Sequence, residues 1–137
     1  LIGQIAARKD QIEGVTISGG EPLEQPAGLA ELMEMVHELG LSTMVYTGFE
    51  YDEIYDSSNP QIQRILSATD ILIDGPFILS KKTQSVPWVG SSNQRVICLT
   101  SRYSKNEIGE MDICVQECFI FPSVLGDFTI INTGIQQ

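Results

Sequence analysis

Four short segments gather residue types that could grip a small charged ligand. In Ser18-Gly19-Gly20-Glu21-Pro22, paired glycines let the backbone approach a ligand closely with its N–H and C=O groups exposed. Glu21 can accept a hydrogen bond from an ammonium group, and Pro22 fixes the direction in which the chain leaves. In Tyr46-Thr47-Gly48-Phe49-Glu50 the Thr47 hydroxyl can donate to a carboxylate. In Asp74-Gly75-Pro76-Phe77 an acid ends a very apolar run, where it needs a cation, a ligand or a donor. Gly90-Ser91-Ser92-Asn93-Gln94-Arg95 is dense in hydrogen-bonding groups, and Arg95 is one of only eight basic residues. Its acidic partner is Asp74 or a ligand carboxylate. Each segment also has a plain structural reading: a strand-to-helix turn, a helix cap with Thr47 at N-cap and Glu50 at N3, an Asp-Gly turn, and a polar loop with a solvated arginine.

Other chemistries are disfavoured. Neither G-x-G-x-x-G nor G-x-x-x-x-G-K-[ST] occurs, so the usual phosphate-cradling loops are missing. The single histidine, His37, sits beside Val36 and reads as a surface or boundary residue, which argues against a Ser-His-Asp arrangement. Three cysteines, Cys98, Cys114 and Cys118, are an odd count that speaks against a disulfide framework. Cys114-x3-Cys118 has no third cysteine or histidine close by, so these read as core or surface thiols.

The elements that must position these groups alternate. Residues 1–14 read as the second half of a helix, marked by Ile2, Ile5 and Ile12 and stopped by Gly14. A start in mid-helix suggests a fragment whose beginning is missing. Strands are expected at 14–18, 41–47 and 70–75, the last apolar enough for burial on both faces. Between them, Leu29, Leu32, Met33, Val36 and Leu39 form one helical stripe closed by Gly40. A second helical stretch comes in two pieces: 49–55, then a restart with Asn59 as N-cap and Pro60 as first residue, striped by Ile62, Ile65 and Leu66. The loop 76–94, with Pro76, Phe77 and Trp88, is placed to cover the mouth of a site. Further strands are expected at 95–100 and 128–132, with 101–119 holding a short strand or a surface excursion. Strand-helix-strand alternation predicts right-handed βαβ units in a parallel sheet. Ligands bind beyond the carboxyl ends of such strands, where SGGEP, TGF and DGPF all fall.

The 137 residues suit one domain, with 1–100 as the core βα units and 101–137 as an extension. A net charge of −10 argues against a nucleic-acid partner, whose phosphates demand Lys and Arg. No apolar run approaches membrane-spanning length and no signal peptide is seen, so the expected location is cytoplasmic, with no membrane partner.

Taken in order, GVTISGGEPLEQP, VYTGF, DILIDGPF and GSSNQRVI resemble the radical S-adenosylmethionine (SAM) superfamily. The similarity is greatest to its branch of anaerobic ribonucleotide-reductase activating proteins. SGGEP alone indicates the superfamily; DGPF and GSSNQR narrow it to the branch. The resemblance covers roughly residues 1–100 and, more weakly, the FTIINTGI tail. It implies an α/β fold, a partial parallel (β/α) barrel of the radical SAM type, truncated at its amino end. It implies SAM and a 4Fe-4S cluster as cofactors, a flavodoxin-like electron donor, and a glycyl-radical enzyme, an anaerobic ribonucleotide reductase, as partner. The chemistry implied is reductive cleavage of SAM, yielding a radical that takes a hydrogen atom from a glycine of the partner. Carried onto this sequence, Ser18, Gly19, Gly20, Glu21 and Pro22 would hold the methionyl ammonium, Thr47 would lie near the SAM carboxylate and Asp74 would line the same site. Asn93, Gln94 and Arg95 would contact ligand or partner.

One departure is large. The C-x3-C-x2-C loop that holds the cluster in this superfamily is absent; it precedes GGEP there, so its cysteines are expected upstream of Leu1. This chain then has no catalytic or metal-ligating residue of its own and is inactive alone. The competing readings are a cluster-less barrel remnant serving as a partner-binding or regulatory module, and an unrelated doubly wound domain binding a small nucleotide. An upstream C-x3-C-x2-C would separate the first reading from the second.

Overall fold

A computed structural model describes residues 2–86 and 88–104 and two strands at 117–122 and 128–133. The side chains of those two strands are not described. The chain forms an α/β fold around one mixed sheet. Three strands follow the expected alternation: β1 (Gly14–Ile17), β2 (Ser42–Tyr46) and β3 (Ile71–Asp74). They pair in parallel, Val15 opposite Thr43 and Val45 opposite Leu72. Helix α2 (Pro26–Glu38) makes the first crossover; α3 (Tyr51–Ile54) and α4 (Pro60–Ser67) share the second. Asn59 caps α4 as its sequence suggests, accepting from the Gln61 N–H at 2.9 Å.

The sheet is not wholly parallel, which departs from the expectation of continuous βα units. β4 (Arg95–Cys98) runs antiparallel to β3 with Asp74 opposite Arg95. Between the two the described residues form no α-helix, only a single 3-10 turn (Leu79–Lys81) within the loop, and the chain reverses direction. On the other side β5 (Glu117–Pro122) pairs in parallel with β1, and β6 (Phe128–Thr133) returns antiparallel to β5. The order is β4-β3-β2-β1-β5-β6. The strand expected at 128–132 is β6, and β5 begins inside 101–119, where a short strand or a surface excursion is expected. Cys114 lies outside the described residues.

Period-2 alternation divides the core into two layers. Val15, Ile17, Val45 and Leu72 face α2 and α4, where Leu29, Met33, Val36 and Ile65 are essentially inaccessible to solvent. Each such side chain contributes about 1.5–3 kcal/mol of burial. Met44, Ile71 and Ile73 face the other way and are covered by Val89 and Trp88 of the 76–94 loop. β3 is thus buried on both faces, as its apolar run predicts.

The opening helix is shorter than its pattern suggests. α1 is Ile2–Ala6, followed by turns, and Gly14 is the first residue of β1 rather than a helix stop. A Cβ at Gly14 would lie 2.1 Å from Ser42 Oγ and 2.6 Å from the Ser42 carbonyl oxygen. The glycine is therefore set by the close approach of β2, a constraint invisible in local sequence.

Candidate functional site

A cleft of about 210 Å³ opens beyond the carboxyl ends of β1, β2 and β3. Ser18, Gly19, Gly20 and Glu21 form one wall, Tyr46, Thr47 and Gly48 the next, and Gly75, Phe77 and Gln94 the third. Three of the four segments singled out from sequence thus contribute through strand ends, and GSSNQR contributes through Gln94.

The first wall is preorganised. Gly19 and Gly20 have φ of 83° and 55°, a conformation that side-chain-bearing residues rarely adopt. It turns the chain sharply after β1 and presents Glu21, which is half-buried, to the end of β2. Glu21 Oε1 accepts from the Thr47 hydroxyl at 2.7 Å and the Leu23 N–H at 3.2 Å, and Oε2 accepts from the Gly48 N–H at 2.8 Å. An ionised carboxylate offers about four acceptor positions; three are filled from within, leaving capacity for one further donor from the cleft. Pro22 starts a single 3-10 turn (Pro22–Glu24) and is buried beneath this wall.

Thr47 lies 4% exposed, donates to Glu21 and accepts from the Phe49 N–H at 3.2 Å. It does not cap α3. The Glu50 N–H instead donates to the Glu53 carboxylate at 2.9 Å, one turn later than the spacing of Thr47 and Glu50 suggests.

Asp74 is adjacent to the cleft but its carboxylate is engaged elsewhere. It is 1% exposed, accepts from Arg95 Nε at 3.1 and 3.2 Å and from Arg95 Nη2 at 2.5 Å, and takes the Tyr51 N–H at 2.7 Å. Of the cation, ligand or donor expected for it, the structure supplies a cation, Arg95, and a donor, the Tyr51 N–H. The hydrogen bond to Asp74 raises the guanidinium above the ordinary arginine value, and nearby Asp52 and Glu50 add to this. Asn93 and Gln94 turn inward as well, binding backbone atoms of 75, 76, 90 and 91. The Asp74–Arg95 contact is one of the two partners expected for Arg95 from sequence; the Asn93 and Gln94 contacts to the DGP segment had no sequence signal.

Two further features had little sequence signal. The Tyr46 hydroxyl donates to the Trp88 carbonyl at 2.6 Å, and Trp88 has a φ of 74°, tying the long loop to the cleft. At the opposite end of the sheet His37 Nε2 meets Asp70 Oδ2 at 2.9 Å and Thr43 Oγ1 at 3.1 Å. That is a boundary position, as expected, but with a partner 33 residues away.

Among the described residues no three His, Cys, Asp or Glu side chains gather into a metal-binding group. Residues 2–97 contain no cysteine at all. No helix among the described residues is long and apolar enough to cross a membrane.

Comparison with known proteins gives a consistent result. A family model described as a 4Fe-4S single cluster domain matches residues 2–97. The anaerobic ribonucleoside-triphosphate reductase-activating protein of Escherichia coli K12 is 32% identical over 101 residues, covering 70% of this chain and 62% of that protein. The protein of the same name from Haemophilus influenzae is 31% identical over 99 residues (69% and 61%), and that from Pasteurella multocida 36% over 93 residues (64% and 57%). The chain therefore spans about six-tenths of the length of these relatives. No solved structure matches it. A four-iron cluster requires thiolates, and the matched span supplies none. The residues described here do not fit that cluster.

Proposed function

Since the chain belongs to the 4Fe-4S single cluster domain family, in the branch of the anaerobic ribonucleoside-triphosphate reductase-activating proteins, we propose that it forms the SAM-gripping core of such an activating protein. In this reading β1–β3 and their crossovers are part of a radical SAM partial barrel. The activity is reductive cleavage of SAM to place a glycyl radical on a partner anaerobic ribonucleotide reductase, with electrons from a flavodoxin-like donor in the cytoplasm. The observation that carries the reading is the Glu21 carboxylate, fixed by Thr47, Gly48 and Leu23 in the wall of the cleft.

In this reading the chain's own residues take the following roles. Glu21 accepts from the methionyl ammonium. Ser18, Gly19 and Gly20 bring the backbone against the amino-acid end, and Pro22 anchors their exit. Thr47 holds Glu21 in place and sits where the ligand carboxylate approaches. Phe77, which is 55% exposed, and Tyr46 flank the cleft and would shield a bound ligand from water, which a radical reaction requires. SAM itself supplies the sulfonium bond that is cleaved. The thiolates of a cluster would have to come from outside residues 2–97, which contain no cysteine.

The absence of cysteine from 2–97 also favours a second reading, a cluster-less partner-binding module. Iron and sulfide analysis of the full-length protein separates the two. The SAM-gripping role is tested by isothermal titration with SAM and with 5′-methylthioadenosine, which lacks the amino-acid group. SAM is expected to bind more tightly, and Glu21→Gln to weaken it by at least tenfold, as for loss of a charged hydrogen bond. Equal affinity for both compounds, or an unaffected variant, overturns it.

A further inference from the structure

The DGP and NQR segments answer each other residue by residue. β3 and β4 pair so that Ile73 faces Val96 and Asp74 faces Arg95. Beyond Asp74 the strand ladder stops, but its register continues in side chains. Arg95 binds the Asp74 carboxylate, Gln94 Nε2 donates to the Gly75 carbonyl at 3.0 Å, and Asn93 Nδ2 donates to the Pro76 carbonyl at 2.7 Å. Gly75 has a φ of 96°, so the chain leaves the extended conformation there, and regular backbone pairing ends with it. Gln94 also accepts from the Gly90 N–H at 2.8 Å and the Ser91 N–H at 3.1 Å. One amide thus joins the end of the 76–94 loop to the β3 rim of the cleft.

We infer that Gln94 is a positioning residue: through the Gly75 carbonyl it fixes the third wall of the cleft against the Glu21–Thr47 wall, and Asn93 and Arg95 extend the same side-chain ladder on either side. The inference rests on the proposed SAM site for its functional consequence. The ladder stands independently of that site. Gly75 N–H donates to the Phe49 carbonyl at 2.8 Å, so a shift of Gly75 passes directly to the loop that follows Thr47. Gln94 lines the cleft, yet both ends of its amide are already bonded within the chain. It acts on a ligand by holding the wall.

Two substitutions separate the bonds. Gln94→Glu keeps an acceptor for Gly90 and Ser91 but loses the donor to Gly75. Gln94→Ala loses all three. Amide hydrogen exchange on the ligand-free chain, followed by SAM titration, reads both effects. In Gln94→Ala the Gly90 and Ser91 amides should exchange at least fivefold faster. In Gln94→Glu they should stay protected while the Gly75 amide exchanges faster and SAM affinity falls about fivefold, the effect of one hydrogen bond. Asn93→Ala, which removes the bond to the Pro76 carbonyl and leaves the three Gln94 bonds in place, should weaken SAM in the same direction. Unchanged exchange in the ligand-free variants overturns the ladder. Faster exchange with unchanged SAM affinity overturns the positioning role. Failure of the unsubstituted chain to bind SAM overturns the proposed site instead, and exchange still decides the ladder.

Discussion

Removing Arg95 should cost more than neutralising Asp74, although the two form one ion pair. Asp74 is 1% exposed, whereas the Arg95 side chain is 49% exposed. In Arg95→Met the aliphatic stem is kept but the carboxylate loses every charged donor and retains only the Tyr51 N–H. Breaking a buried pair from one side costs about 3–5 kcal/mol. Water entering the half-open arginine position lowers this to about 2–3 kcal/mol. In Asp74→Asn the amide oxygen still serves the Tyr51 N–H, and Arg95 turns to solvent, so the loss is about 1 kcal/mol. The double variant Asp74→Asn/Arg95→Met should then resemble Asp74→Asn alone, giving a coupling of about 2–3 kcal/mol. Urea unfolding followed by circular dichroism measures all four proteins. Equal losses in the two single variants, or strict additivity in the double, would refute the claim that Asp74 is a buried charge held by Arg95.

Two other outcomes follow from the packing. Gly14→Ala should destabilise by about 2 kcal/mol or more, since overpacking costs about 1–3 kcal/mol and the Ser42 carbonyl, unlike its hydroxyl, cannot rotate away; an unchanged Tm contradicts the close β1–β2 approach. Tyr103 donates to Glu13 Oε1 at 2.6 Å, and burial, then this bond, raises its phenol above the usual tyrosine value. A raised folded-state value adds stability below about pH 10 that is lost as pH rises through it. Tyr103→Phe should therefore flatten the alkaline loss of stability, and a phenol absorbance titration of the parent protein should show one tyrosine ionising late.

Elements with strong local periodicity were legible in the sequence: α2 from its apolar stripe, α4 from Asn59-Pro60, and β1–β3 from β-branched runs ending in glycine. So was the convergence of SGGEP, TGF and DGPF on one edge, because parallel strands bring their carboxyl ends together. The direction of β4 was not legible, since nothing in RVICLT distinguishes a parallel from an antiparallel neighbour. Gly14 misled because its cause is a cross-strand contact with Ser42. The Thr47 capping alternative failed because Thr47 is engaged by Glu21, 26 residues earlier. Asp74 with Arg95 could be foreseen as a pair from charge scarcity; the Gln94 and Asn93 contacts could not, because uncharged amides advertise no partner.

The central claim is that the Glu21–Thr47–Gly48 constellation grips the amino-acid end of SAM, and amide chemical-shift mapping during titration tests it most directly. SAM should move the Gly19, Gly20, Thr47 and Gly48 resonances together, whereas 5′-methylthioadenosine should leave them in place. Shifts from SAM confined to residues away from the three strand ends, or the same shifts from both compounds, would contradict it.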